Sequence, residues 1–126
     1  MSVLFKNGIV FQGKELLPTG FCVLVENKKI KRIAPQAEFA GFDGKTISLE
    51  GKTMLPGLID CHVHLVFSGE PNLEIAMRDT KPYDLVLKSL YNAQKILEGG
   101  VTSVRDCAGK DYAEIAVRDA CKKGLF

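Results

Sequence analysis

His62 and His64 are the two histidines of this chain. They close the run Met54-Leu55-Pro56-Gly57-Leu58-Ile59-Asp60-Cys61-His62-Val63-His64-Leu65. In extended backbone, side chains two positions apart project from the same face. Both imidazoles therefore point together, with Asp60 one step behind them, while Ile59, Cys61 and Val63 face the other way. Neutral imidazole is the commonest protein ligand for metal ions. Two imidazoles converging at one strand end make half of a metal site. A strand with a polar face and an apolar face, both covered, suits the interior of a barrel. An arbitrary H-x-H pair is otherwise a matter of packing or solvent exposure, so the surrounding elements decide between the readings.

Those elements change character at Pro56. Ahead of it the chain reads as short strands. Val3-Leu4-Phe5, Lys6-Asn7-Gly8 and Ile9-Val10-Phe11 have the strand–turn–strand form with an Asn-Gly hairpin signal. Phe21–Val25 and Ile30–Ile33 flank Glu26–Lys29 as a second hairpin that stops at Pro35, and Thr46–Leu49 is a further strand. Together they predict a small antiparallel unit. After Pro56 comes a strand over Leu58–His64, then a polar loop over Ser68–Pro82. A helix over Asp84–Glu98 follows, with an apolar stripe of Leu85, Leu87, Leu90, Ala93, Ile96 and Leu97 expected in the core. Gly99-Gly100 ends that helix. Val101–Asp106 reads as a strand and Tyr112–Lys123 as a helix closed by Gly124. Strand–helix–strand–helix order predicts parallel pairing. In such α/β folds, sites lie at the carboxyl ends of the strands, where His62, His64 and Asp106 all fall.

Other reactive side chains are weaker candidates. Arg105 and Asp106 are adjacent on a strand, so they alternate in direction. One lines the site, or the two support the loop as an ion pair. Glu70, Glu74 and Asp79 fall in the loop after the Leu58–His64 strand and read as solvated, the alternative being that they border the substrate. Ser68 and Ser103 lack a further histidine to activate them as nucleophiles. Cys22, Cys61, Cys107 and Cys121 contain no C-x-x-C pair and read as free, packed thiols. Strand parity turns Cys61 away from His62.

The chain has 126 residues and a formal net charge of +2. That is enough for one ordinary domain, and too little charge to argue for nucleic acid. Lys28-Lys29-Ile30-Lys31-Arg32 reads as a solvated hairpin. No secretory leader is visible, and no apolar stretch reaches the roughly 18 residues of a membrane helix. A cytoplasmic protein without membrane or nucleic-acid partners is the expectation.

Pro56-Gly57-Leu58-Ile59-Asp60-Cys61-His62-Val63-His64 resembles the opening barrel strand of the metal-dependent amidohydrolase superfamily. Gly99-Gly100-Val101-Thr102-Ser103-Val104-Arg105-Asp106 resembles the second barrel strand of the branch that includes imidazolonepropionase-like enzymes and Xaa-Pro or Xaa-Arg dipeptidases. The β segment ahead is similar to the start of that superfamily's accessory β-sandwich. The resemblance implies an α/β fold in which residues 1–55 belong to the sandwich. Residues 56–126 then form the first two β/α units of a (β/α)8 TIM barrel, an architecture of roughly 250 residues.

It further implies that His62 and His64 bind a divalent metal, with zinc first and one or two ions in the parent protein. Iron and manganese also accept imidazole. Asp60 stands behind the ligands or holds buried backbone, and either Arg105 or Asp106 lines the site. A catalytic zinc takes about three protein ligands and keeps a position for water, whose pKa it lowers. The superfamily's remaining groups are a carboxylated lysine or glutamate, two further histidines and a catalytic aspartate. None can be assigned here. The expectation is therefore an N-terminal fragment, inactive alone, of an enzyme hydrolysing a C–N bond in a dipeptide, N-acyl amino acid or cyclic amide. The alternative is a non-catalytic association module. Open strand edges favour a homo-oligomer or association with the rest of the barrel.

Overall fold

The computed structural model describes residues 1–78 and 80–125 and divides into two units, Met1–Pro56 and Gly57–Phe126. In the first unit, β1 (Ser2–Lys6), β3 (Phe21–Glu26), β4 (Lys29–Pro35) and β5 (Lys45–Ser48) form one sheet in the order β4-β3-β1-β5. Leu4, Cys22, Val23 and Ala34 are its buried side chains. The β3–β4 hairpin forms where the sequence places it. Asn27 and Lys28 both take left-handed backbone, φ 51° and 64°, the geometry that a two-residue turn needs to match the strand twist.

The first expected hairpin does not form. β1 pairs antiparallel with β3 and parallel with β5. β2 (Ile9–Val10) pairs parallel with β6 (Thr53–Met54), an element absent from the sequence reading. Asn7-Gly8 therefore carries the chain between two sheets. A Cβ on Gly8 would lie 2.6 Å from both Leu49 Cβ and Lys52 O, so glycine serves close backbone approach here rather than a hairpin turn. The parallel pairings also correct the expectation of a purely antiparallel unit. Local turn chemistry favours a reversal, but the choice of partner strand belongs to the apolar faces that must be covered together.

In the second unit, β7 (Leu58–Val63) runs parallel to β8 (Val101–Asp106), and α2 (Pro82–Glu98) connects them. Pro82 occupies the first turn of α2, where a missing N–H costs nothing, and Gly99-Gly100 terminates it. α3 (Ala113–Lys122) follows β8. Tyr112, expected as its first residue, is instead its cap in left-handed backbone, φ 57°.

Several expectations need correction. β7 ends at Val63, so His64 lies just beyond the strand. The stretch read as polar loop contains α1 (Leu73–Arg78), a turn and a half of helix. Asp79 lies outside the described residues. The stripe on α2 is narrower than expected. Leu85 and Ser89 are buried, whereas Leu87 and Leu97 are exposed. Leu87 is two residues from Leu85, about 200° around the helix, and so points away from it. The core of this unit is Val66, Leu85 and Ala113, with Phe67, Met77 and Val86 packed on it. All four cysteines are free, but only Cys22 is buried. Cys61, Cys107 and Cys121 belong to the β7–β8 unit, whose packing is concentrated in its loops and helices, and they remain exposed.

Candidate metal site

The two imidazoles converge at the carboxyl end of β7. Their ring centroids are 5.2 Å apart and their planes meet at 75°. His64 Nδ1 lies 2.9 Å from the carbonyl oxygen of Ala108, in the loop that follows β8. A carbonyl only accepts. The bond therefore needs the proton on Nδ1, which leaves the Nε2 lone pair available to a metal. The ring of Phe67 stands edge-on to His64, with centroids 5.7 Å apart. Its backbone N–H donates to His64 O at 3.1 Å and closes the turn that leaves the strand.

A hydrogen-bonded frame surrounds that turn. Asp106 accepts from Leu65 N at 2.9 Å through one carboxylate oxygen and from Ala108 N at 3.1 Å through the other. Asn92 on α2 donates to Leu65 O at 2.8 Å and to Phe67 O at 2.9 Å, and its amide lies 3.0 Å from Ser68 Oγ. Glu70 accepts from Ser68 N at 2.8 Å and pairs with Lys88 of α2. The hydrogen bond from Lys88, reinforced by the backbone donor, holds the Glu70 carboxyl down at about 2. Cys107 N donates to Val63 O at 2.9 Å and extends the strand pairing into the loop.

The residues expected at the site thus have distinct places. His62 and His64 are brought together. Asp106 holds backbone on both sides of His64. Asp60 accepts from the backbone N–H of His62 at 3.0 Å, so it braces the strand at that point. Arg105 donates from Nε to Cys61 O at 2.8 Å and ties β8 to β7. Arg105 and Asp106 therefore both address backbone. Sequence reasoning missed Asn92, Phe67 and Ala108. Asn92 carried a signal, since it sits seven residues after Leu85 on the inward face that also carries buried Ser89. Such a polar residue has a buried partner to satisfy.

Among the described residues, no group of three or more His, Cys, Asp or Glu side chains could hold a metal ion. Two imidazoles, one with its outer nitrogen already engaged, fit part of a zinc-type coordination sphere, for which histidine nitrogen is a standard donor. No described helix is long and apolar enough to cross a membrane.

A strand–helix–strand–helix unit with an H-x-H pair at its first strand end defines an α/β protein with a candidate metal-binding end. The Amidohydrolase family model matches residues 53–126, and the chain belongs to that family. It is 36% identical over 103 residues to imidazolonepropionase of Chromobacterium violaceum, covering 78% of this chain and 23% of that protein. It is 32% identical over 108 residues to Protein LONG AFTER FAR-RED 3 of Arabidopsis thaliana, covering 78% of this chain and 18% of that one. A solved Xaa-Pro dipeptidase with bound methionine in the active site superposes with a TM-score of 0.84 at 22% identity, over 100% of this chain and 31% of that structure. The chain thus spans less than a third of the length of each of these proteins.

Proposed function

We propose that this chain contributes two metal-ligating imidazoles, His62 and His64, to an amidohydrolase active site that hydrolyses a C–N bond. The substrate class is a dipeptide, an N-acyl amino acid or a cyclic amide. β7–α2 and β8–α3 are the first two units of a (β/α)8 barrel in this reading, and residues 1–55 are part of an accessory β-sandwich. The observation that carries it is the convergence of the two rings at the strand's carboxyl end, with His64 Nδ1 bonded to Ala108 O. Support comes from the family match and from the activities named for imidazolonepropionase and Xaa-Pro dipeptidase.

When bound, a divalent metal such as zinc supplies Lewis acidity toward the scissile carbonyl and makes water a usable nucleophile near neutral pH. The residues of this chain hold and orient. His62 and His64 present nitrogen donors, Ala108 O keeps the His64 proton on Nδ1, and Phe67 covers one side of that ring. Further ligands and the proton-transferring group come from outside the described residues. The 126-residue chain by itself therefore turns over neither dipeptides nor cyclic amides.

Zinc titration followed by calorimetry, together with X-ray absorption, tests the assignment. His62→Ala and His64→Ala each sharply weaken binding, whereas Cys61→Ala leaves it unchanged. A zinc–sulfur bond to Cys61, or unchanged affinity in both histidine variants, refutes it.

A further inference from the structure

The two oxygens of Asp106 receive the N–H groups of Leu65 and Ala108. These are backbone groups on either side of one imidazole. Leu65 follows His64 directly, so its N–H sets the peptide plane from which the histidine leaves the strand. Ala108 presents the carbonyl that meets His64 Nδ1 at 2.9 Å.

A carboxylate suits this place because it is an acceptor only and carries two oxygens that two separate donors can share. Asparagine has nearly the same shape but turns an N–H2 toward one of those donors. Leaving a donor unmatched costs more than a bond is worth.

We propose that Asp106 is a positioning residue for His64. It favours the Nδ1–H tautomer and aims the Nε2 lone pair by holding the peptide after the imidazole and the N–H of Ala108, the residue whose carbonyl the imidazole bonds. The metal consequence rests on the reading of His64 as a ligand. The tautomer consequence does not. Among the described residues, no hydrogen bond holds the ring of His62, whose neighbour Asp60 binds its backbone N–H. The two histidines of one chain therefore provide target and internal reference.

The test is long-range 1H–15N correlation spectroscopy of the metal-free, 15N-labelled full chain, at a pH where both imidazoles are neutral. In the wild type, His64 shows the Nδ1–H pattern, and the amides of Leu65 and Ala108 are protected from hydrogen exchange. In Asp106→Asn, His64 moves toward the Nε2–H form, those two amides lose protection, and His62 keeps its pattern. Arg105→Gln removes a different brace between β8 and β7 and leaves the His64 tautomer alone. Zinc affinity falls about 10–100-fold in Asp106→Asn, as for other groups that orient a metal-bound histidine.

A wild-type His64 in the Nε2–H form overturns the proposal before any variant is made. So does an Asp106→Asn spectrum with His64 unchanged, or one in which both histidines change together. If His62→Ala and His64→Ala leave zinc affinity intact while the tautomer results hold, the metal reading falls and the positioning role stands.

Discussion

The four-stranded sheet of residues 1–56 and the two-stranded sheet β7–β8 both mix apolar and polar residues along their strands, yet burial falls in different places. In the first, the strands themselves are buried at Leu4, Cys22, Val23 and Ala34. In the second, Leu58, Ile59 and Val104 on the strands are 52%, 70% and 39% exposed, while Leu65 and Val66 in the loop after β7 are buried. Order in the second unit is thus concentrated where the chain leaves its strands. That end is also where Asn92, Asp106 and Glu70 hold backbone. The histidine pair owes its geometry to packing and hydrogen bonds at the strand's exit rather than to burial along the strand.

The sharpest way to break this contrast is to compare Leu85→Ala with Ile59→Ala by urea unfolding followed by ellipticity. Leu85 is fully buried under the β7 exit loop, and its truncation costs about 2–5 kcal/mol. Ile59 lies on the exposed strand, and its truncation stays within about 0.5 kcal/mol. Equal effects would erase the distinction between strand and exit.

Asn92→Leu comes next. It removes the donor from Leu65 O and Phe67 O and costs about 1–3 kcal/mol. Hydrogen exchange should quicken over residues 64–68 while β1–β5 stay unchanged. Spread of the effect into the first unit would contradict the local role.

Lys28→Gly probes the first unit. Lys28 sits at φ 64°, where a side chain costs about 1–2 kcal/mol that glycine escapes. Part of that gain is cancelled because glycine is freer in the unfolded chain. A modest rise in thermal midpoint is expected, with exchange over residues 64–68 unaffected.

The smallest effect is electrostatic. Glu70 is held at about 2 by Lys88 and Ser68 N, below its ordinary value of 4.5. Its folded-state value is depressed, so its contribution is complete above pH 4.5 and fades as pH falls from there toward about 2. Both partners are partly exposed, which keeps the contribution small. Acid titration of the second unit should show the loss, and Lys88→Met should flatten it.

Much of the second unit was legible because its signals are local and periodic. Gly99-Gly100 ends α2 as read, whereas Pro82, read as the end of the loop, is its first residue, and the order of β7, α2 and β8 requires a parallel pair. The first unit was less legible. Asn7-Gly8 announces a hairpin, but no local rule states that β1 must lie between β3 and β5, or that β2 must meet a two-residue strand at Thr53–Met54. Within the site, the types and spacing of His62 and His64 were enough to single them out. The partners that orient them were not, because two of those contacts are to backbone and a carbonyl has no signature in a sequence. Ala108 O could be any residue's carbonyl, and Asp106 reads from sequence as a lining group rather than as a bridge between Leu65 N and Ala108 N.

The sequence by itself determined the pair of imidazoles and the strand–helix rhythm that carries them, because period-two and period-3.6 patterns are properties of consecutive residues; the face expected to be shared with Asp60 does not follow from them, since the β7–β8 register shifts between Asp60 and Val63. Tertiary structure alone decided which nitrogen of His64 is engaged, which helix side chain closes the loop behind it and which strands of the first unit pair. Those outcomes depend on groups more than 20 residues apart, such as His64 with Ala108 and Leu65 with Asn92, being brought within hydrogen-bonding distance by burial of Val66, Leu85 and Ala113.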